Sequence, residues 1–184
     1  ITASEAISEP VVTFQSGGAA IDDTSITYVD TSGSAGTAWT AAYTAAAGYT
    51  EGAVTYSIAF LDLAGNAGTA VTSGTGSVTF NKSTPTLTAV DIASNNATTT
   101  LAKEGNVITL TITASEAISE PVVTFQSGGE DINNTTITYG GSGTSWTAAY
   151  TTAGGDDEGL VTYSIDFLDL AGNAGTAVTS GTGS

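Results

Sequence analysis

The chain of 184 residues contains no cysteine, no histidine, no methionine and no arginine, and it has only two lysines against 18 acidic residues. Without cysteine no disulfide can form. Without histidine or cysteine, the usual nucleophilic triads and zinc sites lack their base, thiolate and ligands. Carboxylates are the groups left for acid–base chemistry or metal binding.

The formal net charge is −16 at pH 7. A surface of that sign repels nucleic acid and anionic membranes, so we expect neither a nucleic-acid partner nor direct membrane contact. No apolar run of about 18 residues occurs that would predict a membrane-spanning helix. The hydrophobic share of 40%, with seven tyrosines, five phenylalanines and two tryptophans, still predicts a folded core.

The chain is an internal tandem repeat. Residues 1–18 recur letter for letter at 112–129, and residues 60–77 recur at 167–184. The displacements, 112 − 1 = 111 and 167 − 60 = 107, are too long for a solenoid unit, so each copy is a whole domain. We predict two domains, 1–82 and 83–184, with a surface loop that accounts for the length difference between Tyr28 and Trp39.

Short alternating segments separated by Gly, Asn, Asp and Ser clusters predict an all-β fold. In the clearest segment, Ile108, Leu110, Ile112 and Ala114 share one face while threonines occupy the other, as in a half-buried strand. Seven such strands without helical periodicity predict an antiparallel β-sandwich. The predicted strands of the second copy are 86–92, 106–114, 121–126, 132–139, 145–151, 160–168 and 175–179.

Four segments carry a family resemblance: Leu101–Ile118, Trp146–Tyr150, Glu158–Ile165 and Asp169–Asn173. Together and in this order they resemble the bacterial Ig-like tandem repeats of giant surface adhesins. The resemblance implies two seven-stranded Ig-like sandwiches on an extracellular protein at the bacterial cell surface. In that frame the first copy lacks strand A and the start of strand B, and the second lacks most of strand G, as expected for a window cut from a longer array.

Carboxylates and amides recur at two predicted loops of each copy. In an Ig-like sandwich the loops between strands B and C and between strands F and G lie at one end, so their oxygen atoms could bind calcium together. The alternatives are a tight turn built from Asp, Asn and Gly, and solvated glutamates. The candidate calcium ligands are Glu116, Glu120, Asp169 and Asn173 in the second copy, and Glu5, Glu9, Asp62 and Asn66 in the first.

Other chemistry fits the sequence less well. A carboxylate pair for glycoside hydrolysis could be drawn from Glu116, Glu120 and Asp169, but the aromatic residues needed to line a sugar cleft lie in strand alternation. The cluster Asp156–Glu158 has a largely uncharged twin at 49–51, which predicts a solvated loop rather than a repeated site. We therefore expect no enzyme.

The expected function is a structural extender of a long extracellular adhesin or surface filament, which spaces a distal binding domain from the cell and which bound calcium could stiffen. Its partners would be the neighbouring Ig-like repeats of the same chain. An alternative is a glycan- or protein-binding module that uses the loops between strands B and C, D and E, and F and G. A domain short of strand A or G could also bind other copies in a filament by strand addition.

Overall fold

The computed structural model describes residues 1–22 and 25–179. It divides the chain into two compact units, Ile1–Lys82 and Ser83–Ser184. In both units the regular elements of the described residues are β-strands, and every strand pairing is antiparallel. The all-β antiparallel architecture predicted from the sequence is therefore confirmed. The end of the second repeated block, 180–184, lies outside the described residues.

The described residues of the second unit form eight strands in two four-stranded sheets. One sheet has the order β11-β12-β8-β7 and the other the order β10-β9-β13-β14. The strands are β7 (Leu87–Ser94), β8 (Val107–Ala114), β9 (Val122–Ser127), β10 (Glu130–Asp131), β11 (Thr138–Ser142), β12 (Ser145–Thr151), β13 (Val161–Asp166) and β14 (Val178–Thr179).

The first unit has a four-stranded sheet of order β2-β1-β5-β6 and a separate hairpin, β3-β4. Its described residues include no counterpart of β7, and the counterpart of β8 is limited to residues 1–3. The strands are β1 (Val11–Ser16), β2 (Ala19–Ala20), β3 (Thr27–Asp30), β4 (Trp39–Ala42), β5 (Gly52–Ala59) and β6 (Val78–Phe80).

The core of the second unit lies between its two sheets, and β8 fills the middle of it. The side chains of Leu110 and Ile112 are completely buried, and those of Ile108 and Ala114 are nearly so. From the opposite sheet the ring of Phe125 packs on Tyr150 of β12, with ring centroids 4.9 Å apart. Burying each such apolar side chain stabilises the fold by about 2–3 kcal/mol.

A tyrosine fastens the two sheets to each other in both units. The hydroxyl of Tyr139 on β11 accepts a hydrogen bond of 3.0 Å from the backbone N–H of Val123 on β9. In the first unit the hydroxyl of Tyr28 accepts from the N–H of Val12 at 3.0 Å and donates to the carbonyl of Val12 at 3.2 Å. The polar tip of a half-buried ring thus holds opposite sheets together.

The predicted strand 132–139 is wrong over residues 132–137, because only its end belongs to β11, and the described part of the second unit has eight strands rather than seven, with β10 as the additional one. The chain crosses from β10 in one sheet to β11 in the other over residues 132–137, so this stretch cannot join a single ladder. Side chains hold it instead. The N–H of Asn133 donates to the carboxylate of Asp156 at 2.8 Å, and the amide of Asn134 donates to the carbonyl of Thr151 at 3.1 Å.

The length difference between the copies falls in one hairpin. In the second unit β11 and β12 are joined by Gly143 and Thr144, whereas in the first the loop between β3 and β4 runs over residues 31–38. The carboxylate of Asp30 supports this longer loop by accepting hydrogen bonds from the N–H groups of Ser32 at 2.8 Å and Gly36 at 3.1 Å. The two hairpins keep the same register, with Tyr28 opposite Ala41 and Tyr139 opposite Ala148.

Candidate functional site

The turn after β13 is closed by one buried carboxylate. Oδ1 of Asp169 accepts hydrogen bonds from the N–H groups of Ala171 at 2.9 Å and Asn173 at 2.7 Å, and Oδ2 accepts from the side-chain amide of Asn173 at 2.8 Å. Gly172 adopts a φ of 94°, which an L side chain rarely takes. Both oxygens of Asp169 therefore serve the turn itself.

The first unit repeats this arrangement atom for atom. Oδ1 of Asp62 accepts from the N–H groups of Ala64 at 2.9 Å and Asn66 at 2.8 Å, and Oδ2 accepts from the Asn66 amide at 2.7 Å. Asp62 is half-buried, whereas Asp169 is 3% exposed. We call the segments 62–66 and 169–173 the Asp–Asn turns.

The hydrogen bonds of the Asp–Asn turns favour the ionised carboxylates. The side-chain amide of Asn173 is the largest cause that lowers the pKa of Asp169; partial burial opposes it, and the backbone N–H groups add to it. The pKa of Asp62 is lowered in the same way, first by the Asn66 side chain. A carboxyl acting as the acid in glycoside hydrolysis needs a raised pKa, so these shifts do not support that chemistry.

The predicted contact between the glutamate-carrying loop and the Asp–Asn turn is made by backbone atoms. Ile118 forms an isolated antiparallel bridge with Asp169, and the N–H of Ser119 donates to the carbonyl of Leu168 at 3.0 Å. In the first unit Ile7 bridges Asp62 in the same way. The segment that carries the glutamates therefore lies beside the Asp–Asn turn in each unit.

The side chains of the candidate calcium ligands differ in their exposure. Glu116 is half-buried, whereas Glu120 and both glutamates of the first unit, at positions 5 and 9, are exposed. Within residues 1–22 and 25–179 no three His, Cys, Asp or Glu side chains lie close enough together to hold a metal ion. Both oxygens of Asp169 accept hydrogen bonds within the turn, and calcium takes six to eight oxygen ligands, so further amide, carbonyl or water oxygens would have to complete such a site; calcium binding stays a prediction.

We expect Asp169→Ala to lower the Tm of the second unit by several degrees, because the three turn donors lose their acceptor. The lowered pKa sets the sign of the acid dependence. The stabilisation is present above about pH 4, the pKa of an unfolded aspartate, and is lost as the pH falls through the lower folded value. Thermal melts between pH 2 and 7 should therefore show a weaker acid dependence for the variant.

The matched control for this prediction is Asp166→Ala. It removes one negative charge at an exposed position at the end of β13, the strand that precedes the turn. We expect the Tm of this control to stay close to that of the parent chain. If Asp166→Ala and Asp169→Ala melt alike, the effect belongs to net charge and the turn-closing role is refuted.

In the acidic cluster Asp156–Glu158 the side chains of Asp157 and Glu158 are exposed, as predicted for a solvated loop, whereas Asp156 is half-buried and hydrogen-bonded. Oδ2 of Asp156 accepts from the N–H of Ala153 at 2.9 Å, in addition to the bond from Asn133. Burial alone raises the pKa of Asp156 and is the largest single cause, but these N–H groups and the Asn133 side chain together lower it. The carbonyl of Asp157 accepts from the buried hydroxyl of Ser127 at 2.7 Å.

A wide groove opens into the interior of the first unit. It has a volume of about 900 Å³ and is lined by residues of β1, β4 and β5 together with the segments 1–7 and 60–75. The residues on its floor are half-buried, although their identical counterparts in the second unit are 0–4% exposed. The floor residues and their counterparts are Phe14 and Phe125, Ala41 and Ala148, Ile58 and Ile165, and Phe60 and Phe167.

A second cleft, of about 770 Å³, lies in the second unit and is lined partly by Leu101, Ile108 and Val161. It borders the start of β13. In the first unit the corresponding residues, Gly52–Val54, pair with β6. The groove of the first unit and the cleft of the second unit thus each lie at a position where the other unit has a strand.

None of the described residues forms a helix long and apolar enough to cross a membrane. Comparison of the chain with protein-family models, with curated proteins and with solved structures finds no match. The features of this chain that bear on its function are therefore the two Asp–Asn turns, the glutamate-carrying segments beside them, the groove of the first unit and the cleft of the second.

Proposed function

We propose that the chain consists of two Ig-like spacer modules of a long extracellular bacterial protein, an adhesin or surface filament whose distal domain does the binding. The observation that carries this proposal is where the residues of the duplicated blocks lie in the two units. Their residues supply buried core positions such as Val12 and Val123, and the Asp–Asn turns. Sequence identity between the copies therefore falls on groups that build the module.

The strand order supports the Ig-like assignment. With β7 taken as strand A, the sheet β11-β12-β8-β7 reads D-E-B-A and the sheet β10-β9-β13-β14 reads C′-C-F-G. An Ig sandwich places strands A, B, E and D in one sheet and C, F and G in the other. In the same lettering, the four-stranded sheet of the first unit reads C′-C-F-G and its hairpin reads D-E.

The absence of disulfides requires that packing and hydrogen bonds hold each module. The inter-sheet tyrosines, the Asp–Asn turns and the sealed core of the second unit do so without a cross-link. The carboxylate-rich surface, with a net charge of −16, keeps such modules soluble and discourages association. These properties suit a spacer that works at fixed length outside the cell.

A distance measurement tests the proposal. Because the chain has no cysteine, spin labels can be placed at Thr13→Cys and Thr124→Cys, which are exposed and equivalent in the two copies. A spacer gives one narrow distance distribution by pulsed electron paramagnetic resonance. A broad distribution, as for two freely jointed domains, would contradict the spacer function.

The alternative of a glycan- or protein-binding module is favoured by one observation. Leu63 and Leu170, at the tips of the Asp–Asn turns, are each 75% exposed. Exposed apolar side chains at loop tips can anchor a ligand. Binding on a glycan or protein array that is lost in the double variant Leu63→Ser, Leu170→Ser would establish this alternative and displace the spacer proposal.

Calcium binding stays a prediction, and the spacer proposal does not depend on it. An ion that binds only the folded state stabilises it by about 2.7 kcal/mol at a hundredfold excess over its Kd. Thermal melts in calcium and in EGTA are therefore decisive. A rise in Tm with calcium would support the prediction, whereas equal melts would leave closure of the turn as the role of Asp62 and Asp169.

A further inference from the structure

We propose that Lys82 is a latch that holds the chain where it leaves the first unit, and so limits the joint between the two units to Ser83 and Thr84. This inference deepens the proposed spacer function and rests on it, because a spacer of fixed length needs a short, well-held joint. The latch consists of Lys82 and the loop that joins β4 to β5, residues 43–51.

Lys82 makes three hydrogen bonds with this loop. Its Nζ atom donates to the carbonyl of Ala47 at 2.9 Å and to the carbonyl of Tyr49 at 2.8 Å. Its backbone N–H donates to a carboxylate oxygen of Glu51 at 2.5 Å. Hydrogen bonds in which the donor or the acceptor is charged are stronger than neutral ones. One residue thus ties the end of the first unit to a single loop through both its side chain and its backbone.

The loop is a firm base for the latch because other parts of the first unit hold it in place. The ring of Tyr49 lies against that of Tyr43, with ring centroids 6.0 Å apart, and Tyr43 packs on Phe14 of β1 with centroids 4.9 Å apart. The buried hydroxyl of Ser16 donates to the carbonyl of Thr50 at 2.7 Å. The carbonyl groups that receive the lysine ammonium are therefore positioned by contacts that do not involve it.

The latch extends the hold on the chain past the last strand of the first unit. β6 ends at Phe80, the last residue of its ladder with β5. On the other side of the joint, Pro85 is fully buried, and the N–H of Thr86 donates to Oγ of Ser115 at 3.0 Å. Lys82 and Pro85 therefore bound the joint. Without the latch, the ladder pair nearest to the joint in the first unit is that of Phe80.

The other lysine of the chain, Lys103, provides a matched comparison. Its hydrogen bonds with Asn106 and Thr152 are made by backbone atoms: the N–H of Lys103 donates to Oδ1 of Asn106 at 3.0 Å, and its carbonyl accepts from the hydroxyl of Thr152 at 2.7 Å. Replacing Lys103 therefore removes one positive charge and leaves these bonds in place. Replacing Lys82 removes the same charge together with two hydrogen bonds of the latch.

The test measures the distance distribution between spin labels at Thr13→Cys and Thr124→Cys in the full chain and in three further variants. Lys82→Met removes the ammonium, Lys82→Arg keeps a charged donor, and Lys103→Met removes the other lysine charge. We expect Lys82→Met to broaden the distribution by about 1.4-fold, as for a flexible linker whose length doubles. Lys82→Arg and Lys103→Met should keep the width of the parent chain.

The outcomes separate the latch from the spacer function. A broad distribution in the parent chain contradicts the spacer function and, with it, the latch. A narrow distribution that Lys82→Met leaves unchanged overturns the latch alone, and so does equal broadening by Lys103→Met or Lys82→Arg. Amide NMR spectra of each variant check the fold. Broadening that comes with loss of the folded signals of the first unit would assign Lys82 to the stability of that unit, and would also overturn the latch.

Discussion

Replacing Leu110 by alanine lowers the free energy of unfolding of the second unit by about 3–5 kcal/mol. Leu110 is the central inward residue of β8, it is fully buried, and both neighbouring strands hold its backbone in place. The surrounding core cannot collapse into the space, so the loss of transfer free energy adds to the cost of a cavity. Urea denaturation followed by Trp146 fluorescence, in a Trp39→Phe background, measures the second unit alone.

The control for Leu110→Ala is Thr111→Ala on the same strand, which points to solvent and should cost less than about 1 kcal/mol. Equal losses for the two variants would mean that strand propensity, and not core packing, sets the stability of β8. A loss below about 1 kcal/mol for Leu110→Ala would contradict the close packing of the core around this side chain.

Gly175→Ala destabilises the second unit by about 2–3 kcal/mol, whereas the equivalent change in the first unit, Gly68→Ala, costs roughly 1 kcal/mol or less. A methyl group on Gly175 would lie 2.1 Å from Cε2 of Phe167, and one on Gly68 would lie 2.1 Å from Cε2 of Phe60. The local clash is the same in both. The freedom of the phenylalanine ring to move differs.

Phe167 is 4% exposed and enclosed by the filled core, so its ring cannot turn away without displacing other side chains. Phe60 is half-buried at the groove and can shift into it. Urea denaturation of the two single variants, with Trp146 and Trp39 reporting on their own units, measures the difference. Equal costs in the two units would show that the groove gives Phe60 no room.

The sequence predicted the strands with the clearest alternation best. The bounds 145–151 agree with β12, and 106–114 differs from β8 by one residue, because Gly, Asn and Ser clusters flank both and their inward residues alternate without a break. The segment 132–139 also alternates, with Ile, Thr and Tyr. It failed because alternation does not reveal where a chain leaves one sheet for the other.

The candidate site was predictable in position but not in chemistry. Sequence placed Asp169 and Asn173 on a turn next to the segment 116–120, and the backbone contacts of Ile118 and Ser119 agree with this. Which atoms remain for a ligand depends on local backbone angles, such as the positive φ of Gly172. The hydrogen bonds that occupy Asp169 follow from that geometry.

The anchoring of Asp156 could not be inferred from the repeat, because its counterpart in the first copy is Tyr49. Comparison of the copies emphasises what they share. A group that fastens one copy alone, such as Asp156 beneath Asn133, is therefore overlooked. The inter-sheet tyrosines were overlooked for another reason: their hydroxyl partners are backbone atoms of a distant strand, which no sequence pattern marks.

The identical strands β1 and β9 also have a consequence for how the chain reaches its folded state. Phe14 pairs with Tyr56 and Phe125 pairs with Tyr163, in ladders of the same register. A crossed pairing of β1 with β13 would form nearly the same hydrogen bonds and side-chain contacts, so energy alone does not select the correct partner. During synthesis β5 leaves the ribosome before β13 exists, whereas refolding from denaturant exposes all four strands at once, so we expect crossed, slowly corrected products in refolding alone.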